Sequence, residues 1–208
     1  MNNIPETFCP TSRQHWREWL QAHHATAQSV WLVYQKRRAA TVPGISYAEA
    51  VEEALCFGWI DSTSQPVDEA TYRQYFSKRK PGGTWSKVNK ARVQRLLAAG
   101  LLAEAGLAAI EVAKQNGAWS ILDEVEELRV PADLARELAA QPPAQAYFAG
   151  LCQSDQRNML QWLVLAKRPE TRQARIAEIV AQAAQQQKPT QFRGRPKKPT
   201  DPPAPSAA

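Results

Sequence analysis

The chain has 208 residues, with 44% hydrophobic and 22% charged residues. That length holds one medium domain or two small ones, each able to bury a core. The composition excludes the weakly hydrophobic, highly charged class that stays unfolded. The net charge of +6 is unevenly placed: from Lys188 onward five basic residues face one acidic residue, so the tail holds +4 and the body +2.

Three cysteines, Cys9, Cys56 and Cys152, are too few and too scattered for a disulfide framework. Cys56 stands among apolar residues and reads as a small core residue. The first ten residues have neither a basic start nor an apolar run, and no apolar segment reaches membrane-spanning length. The expectation is a cytoplasmic protein with no membrane span. His23 and His24 are neighbours without a third ligand at metal spacing, so neither a metal nor a cofactor is expected.

Thr11 or Ser12 caps a first helix, whose Trp16, Trp19, Leu20 and His23 recur at helical spacing. Val30–Lys36, rich in aromatic and β-branched residues, reads as a strand. Pro43-Gly44 is a turn. Ser46 then opens a second helix with Glu49 three residues on, the arrangement in which each side chain satisfies the other's backbone N–H. Val51, Ala54 and Leu55 form its buried stripe, and Gly58 ends it.

Trp59–Ser64 reads as a second strand stopped by Pro66, and Tyr72–Arg79 as a third, the two forming a hairpin around Asp68-Glu69. Asp61 falls within a strand, where a carboxylate needs a partner; the basic strand beside it is expected to supply one.

Between Ala70 and Ala103 there are eight Lys or Arg and no Asp or Glu. Such a block is either a solvated face or a surface turned toward anions. Lys80-Pro81-Gly82-Gly83 is a turn, and Thr84 or Ser86 caps the next helix, with Val93, Leu96 and Leu97 inward. Lys87 and Lys90 stand in its first turns, although cations are disfavoured there. Gly82, Gly83, Thr84, Trp85, Ser86, Lys87, Lys90 and Asp61 therefore form a candidate site for a small anion. The spacing is not that of a P-loop.

Leu101–Gln115 reads as a helix with Leu107, Ile110 and Val112 apolar, followed by Gly117 and by Trp119, which packs back on the core. The acidic run Asp123–Glu127 neutralises part of the basic block. From Pro131 the pattern is helical: a helix through Leu138, a break at Pro142-Pro143, a short helix around Tyr147 and Phe148, and one capped by Ser154 with Met159, Leu160, Leu163 and Val164. Pro169 opens the last helix, lined by Ile176, Ile179, Val180, Ala183 and Ala184.

After Gln187 the composition turns to Pro, Lys, Arg, Gly, Ser and Ala, and disorder is expected. Within it, Arg193, Gly194, Arg195, Pro196, Lys197 and Lys198 resemble an AT-hook. Glycine lets such a backbone sit deep in a narrow minor groove, where two extended arginines read its negative potential.

The runs VPADLARELAAQPPAQAYFAGL and QRNMLQWLVLAKRPETRQARIAEIV resemble the YdeI/OmpD-associated (bacteriocin-protection) family. The upstream ALCFGWIDS and KRKPGGTWSKVNKARV look like the same family, so the resemblance extends over most of Trp16–Gln187. It implies a protective role and carries over no catalytic residues.

The expected fold is α+β: a small antiparallel sheet of about three strands with helices over residues 1–128, an all-α helical domain over 129–187 and a basic tail over 188–208. The function expected is protection against bacteriocin or antimicrobial stress by binding rather than catalysis. Two other readings stand beside it: DNA association through the tail, and a small-anion site or enzyme at Gly82–Lys90. The corresponding partners are A·T-rich DNA, a small anionic ligand, or a protein docked on the C-terminal helices.

Overall fold

The structure is a computed structural model that describes residues 6–36 and 44–193. The chain divides into two compact units, Met1–Asp123 and Glu124–Ala208.

The first unit contains β1 (Glu6–Phe8), α1 (Arg13–His23), β2 (Ser29–Gln35), α2 (Tyr47–Cys56), β3 (Trp59–Pro66), β4 (Thr71–Lys78), α3 (Lys87–Ala98) and α4 (Glu104–Gln115). The α+β class is as expected. The sheet has a fourth strand, order β1-β2-β4-β3, and is mixed rather than purely antiparallel, because β1 pairs parallel with β2. On β2 the alternation Val30, Leu32, Tyr34 is buried while Trp31 and Val33 are half-buried, the period-two signature of a strand with one face on a core.

Helix α2 lies at the centre of that core. Its capping box is present, with Ser46 Oγ accepting from the Glu49 N–H and Glu49 accepting from the Ser46 N–H. Ala50, Val51, Ala54, Leu55 and Cys56 are all buried. Trp16 of α1 donates its indole N–H to the Ala50 carbonyl at 3.0 Å, which satisfies the polar atom of a fully buried ring. Gly58 ends the helix with φ +72°, in the left-handed region that favours glycine.

Two expectations for the helices change. Leu97 is 56% exposed, because α3 buries only the narrow stripe Val93 and Leu96. Helix α4 starts at Glu104, and its buried face is Gly106, Ile110 and Ala113, while Leu107 and Val112 point outward. The close crossing on α2 explains this. A Cβ on Gly106 would stand 2.3 Å from the Cys56 carbonyl oxygen, so only glycine fits there.

The second unit contains α6 (Ala132–Ala139), α7 (Pro142–Gly150), α8 (Gln153–Val164) and α9 (Pro169–Ala184); the short α5 (Asp123–Glu126) begins on the last residue of the first unit. Helix α9 packs against α6, α7 and α8 through Ile176, Ile179, Val180 and Ala183. Cys152, not Ser154, occupies the N-cap of α8, and Ser154 Oγ instead meets Cys152 Sγ at 3.1 Å.

The expected disorder from Lys188 is corrected for its first residues. A 3-10 turn, Thr190–Phe192, places Phe192 edge-on to Trp162 at 5.7 Å, and Lys188 pairs with Asp155 at 2.5 Å. Among the described residues no helix is long and apolar enough to cross a membrane, and no cluster of His, Cys, Asp and Glu could hold a metal ion.

Candidate functional site

The basic turn comes first because the sequence points to it. The Gly83 N–H closes the turn on the Lys80 carbonyl at 2.8 Å, and Asn116 Nδ2 donates to the Pro81 carbonyl at 2.8 Å. Ser86 caps α3 by accepting from the Asn89 N–H. Trp85 is buried beneath the guanidinium of Arg79, which lies 3.6 Å from the ring centroid. Lys87 is exposed. Lys90 pairs with Asp123 and lies over Trp119, so part of the acidic run does meet the basic block. Asp61 makes its hydrogen bonds elsewhere, as described below.

Arg79 is the residue at this turn that sequence reasoning passed over. Its Nη2 donates to the Thr84 carbonyl at 2.6 Å, while its Nη1 is buried without a partner. Burial pushes its pKa down to about 10, with the charge of Asp61 acting the other way.

A cavity of about 800 Å³ lies elsewhere in the first unit. Its walls come from the end of β2, the start of β4, the N-terminus of α2 and the Cys9–Thr11 segment before α1. Tyr34 and Tyr72 stand opposite each other in the β2–β4 register, and their rings stack at 5.0 Å with a 13° interplanar angle. Tyr34 is 4% exposed and its hydroxyl has no hydrogen-bond partner among the described residues. Burial first, then the nearby Tyr72 and Asp61, raises its pKa well above the ordinary phenol value, so the hydroxyl keeps its proton.

Tyr47, at the first position of α2, donates its hydroxyl to Asp61 Oδ2 at 2.7 Å. Burial and this bond push the Tyr47 pKa up to about 12. Gln74, itself buried, donates to the same Asp61 oxygen at 3.1 Å and to the Ser62 carbonyl at 3.0 Å. The hydrogen-bond partners of Asp61 are thus a phenol and an amide, not the basic side chains expected from the neighbouring strand. The β3–β4 pairing is irregular between Asp61 and Ser64. The described lining of the cavity contains no Lys, Arg, Asp or Glu.

Residues 8–109 match a domain of unknown function, DUF8412. Residues 127–186 match the family described as Bacteriocin-protection, YdeI or OmpD-Associated. The C-terminal helical segment belongs to the YdeI/OmpD-associated family. Nothing among curated proteins or solved structures matches the chain.

The YdeI/OmpD-associated segment covers α6 to α9, and the upstream runs GWIDS and TWSKVNKARV fall in the separate match over 8–109. Both the Arg79 turn and the tyrosine cavity therefore lie outside the YdeI/OmpD-associated segment. Within it, Arg172 grips Asp133 through two bonds, Nε to Oδ2 at 2.6 Å and Nη2 to Oδ1 at 2.9 Å. Arg175 lies over Trp162 at 4.9 Å. Of the tail residues expected to meet DNA, Arg193 donates to the Lys188 carbonyl and to Gln182, while Gly194, Arg195, Pro196, Lys197 and Lys198 lie outside the described residues.

Proposed function

We propose that this protein protects against bacteriocin or related antimicrobial stress, and that it does so by binding rather than by catalysis. The observation that carries the protective half is the match of residues 127–186 to the bacteriocin-protection family. The binding half is supported by the tyrosine-walled cavity, whose volume falls in the usual range for small-molecule sites. The test is survival. A bacteriocin-sensitive strain expressing the full chain is expected to withstand higher bacteriocin doses than the same strain with empty vector. Superimposable killing curves across a bacteriocin panel would sink the protective role.

A second reading places a small anion at the Gly82–Lys90 turn, and Arg79 favours it. A buried guanidinium nitrogen without a partner is costly, and Arg79 forms no ion pair among the described residues. A phosphate or carboxylate oxygen would complete it. Titration with inorganic phosphate, followed through backbone amide shifts, is expected to move the Gly82, Gly83 and Thr84 signals saturably. Arg79→Met should abolish that response, and unmoved signals in the unaltered protein would reject the reading.

A further inference from the structure

The sheet of the first unit has two faces, and the core lies on one of them. Along β2 and β4 the pairs Val30–Phe76, Leu32–Gln74 and Tyr34–Tyr72 alternate with Trp31–Tyr75 and Val33–Arg73, which belong to the opposite face. Phe8, Ile60 and Tyr72 are among the partly buried residues that pack on the core; Trp31, Val33 and Tyr75 are not. Each of these three is half-buried, so part of its surface stays in water.

On this outer face the two central strands build an aromatic and cationic cluster. Trp31 and Tyr75 stand opposite each other and meet edge to face, with ring centroids 5.0 Å apart. The Arg73 guanidinium lies over the Trp31 ring at 4.3 Å. Gln65 of β3 accepts from Arg73 Nε at 3.2 Å and from Nη2 at 2.9 Å, which fixes the guanidinium plane. An indole, a phenol and a guanidinium are planar groups on which unpaired bases stack.

The cations of these strands are positioned without being neutralised. Arg73 is held by the Gln65 amide, Lys36 donates to the Asp68 carbonyl at 2.6 Å, and Lys78 donates to the Ala25 carbonyl at 2.7 Å. In the helices of the same unit, by contrast, Arg13 and Arg17 pair with Glu53 and Lys90 pairs with Asp123. Neither β2 nor β4 contains an acidic residue, and the chain after Lys36 continues with Arg37 and Arg38. Asp61 on β3 is bonded to Tyr47 and Gln74 on the core side, and Asp68 closes the β3–β4 turn by accepting from the Ala70 and Thr71 N–H groups. Because β2 and β4 are antiparallel, Lys36 and Lys78 lie at opposite ends of the pair, with the aromatic cluster between them.

We propose that the outer face of β2 and β4 binds single-stranded nucleic acid: bases stack on the Trp31–Arg73–Tyr75 cluster, and phosphates meet Arg73, Lys36 and Lys78. A duplex keeps its bases stacked on one another and offers this cluster no free base face. A purely anionic partner would use the cations and leave the aromatic rings without a role. The proposal is independent of the protective role and of the anion site at the Gly82–Lys90 turn.

The test measures binding of a short oligothymidylate to the full chain by fluorescence anisotropy, beside an abasic strand with the same number of phosphates. The oligothymidylate is expected to bind more tightly. Tyr75→Leu should weaken it about tenfold, within the range of one stacked base, and leave the abasic strand unchanged. Tyr75→Phe, which keeps the ring, should bind both strands as the parent does, which separates a lost ring from a lost fold. Lys36→Gln should weaken both strands alike, because a phosphate contact carries no base preference. The basic tail is intact in every variant, so its contribution cancels. A second measurement needs no variant: bromouracil replaces thymine, the bound strand is crosslinked by light, and the crosslinked peptides are expected to hold Trp31 or Tyr75. The proposal is overturned if the abasic strand binds as tightly as the oligothymidylate, or if Tyr75→Leu keeps the parent's preference for bases. It is equally overturned if Lys36→Gln leaves both affinities unchanged, or if the crosslinks fall only on residues outside this face.

Discussion

Glu53 sits at 3% exposure in the middle of α2 and survives there because two arginines reach it from α1. Arg13 Nε meets Oε1 at 2.5 Å, and Arg17 Nη1 meets Oε2 at 2.6 Å. Burial works against both guanidinium charges, yet the bonds and the charge of Glu53 outweigh it, so both pKa values rise. Arg79 differs: it forms no ion pair among the described residues, and burial lowers its pKa. The Asp133–Arg172 pair in the YdeI/OmpD-associated segment is the matched kind nearer the surface. Arg172 donates to Asp133 and holds its carboxyl below the usual carboxylate value. A depressed carboxyl pKa stabilises the fold above the unfolded value of about 4 and loses that contribution as pH falls through the folded value. Asp133→Asn is therefore expected to destabilise the protein by about 1 kcal/mol at neutral pH, a figure kept small because both side chains retain solvent contact. The gap should close in strong acid, where the parent's carboxyl is protonated too. Urea denaturation at neutral and strongly acidic pH checks this; an equal gap at both would show that the pair's charge contributes nothing.

Secondary elements were legible where local chemistry decides them. Ser46 and Glu49 announce α2, Pro169 and Glu170 open α9, and Gly58 closes α2, each by satisfying or sparing backbone groups within a few residues. Elements fixed by tertiary contact were not legible. Strand β1 has three residues, too few for alternation to register, and its parallel pairing to β2 is set by the fold. The stripe of α4 was misread because tight crossing on α2 selects Gly106 and Ala113, whereas hydropathy favours Leu107 and Val112. The tyrosine wall was missed for a related reason. Alternation puts Tyr34 and Tyr72 each on one face of a strand, but only the register that sets them opposite each other makes a stacked pair. Asp61 was rightly marked as needing a partner; the partner came from Tyr47, fourteen positions back on α2. Arg79 could have been found by asking which cation directly precedes the Lys80–Gly83 turn.

Composition changes at Lys188, but the described fold continues to Arg193, and the difference is physical. Pro189 is buried, Phe192 meets Trp162, Lys188 holds Asp155, and the Thr190 N–H donates to Glu178. A polar, proline-rich composition predicts disorder because such a segment cannot build its own core. This one borrows a core already made by α8 and α9. If those contacts fix the end of the second unit, a chain ending at Arg193 should melt like the full chain. A chain ending at Gln187 should lose the buried Pro189, the aromatic contact and the ion pair together. Calorimetry is expected to show that loss as a drop of about 5 °C in one transition, the size of roughly 1 kcal/mol in a small domain. The order of the three melting temperatures decides the matter. If the chain ending at Gln187 melts with the other two, then Lys188–Arg193 rests on the helices without stabilising them, and the compositional boundary at Gln187 is also the energetic one.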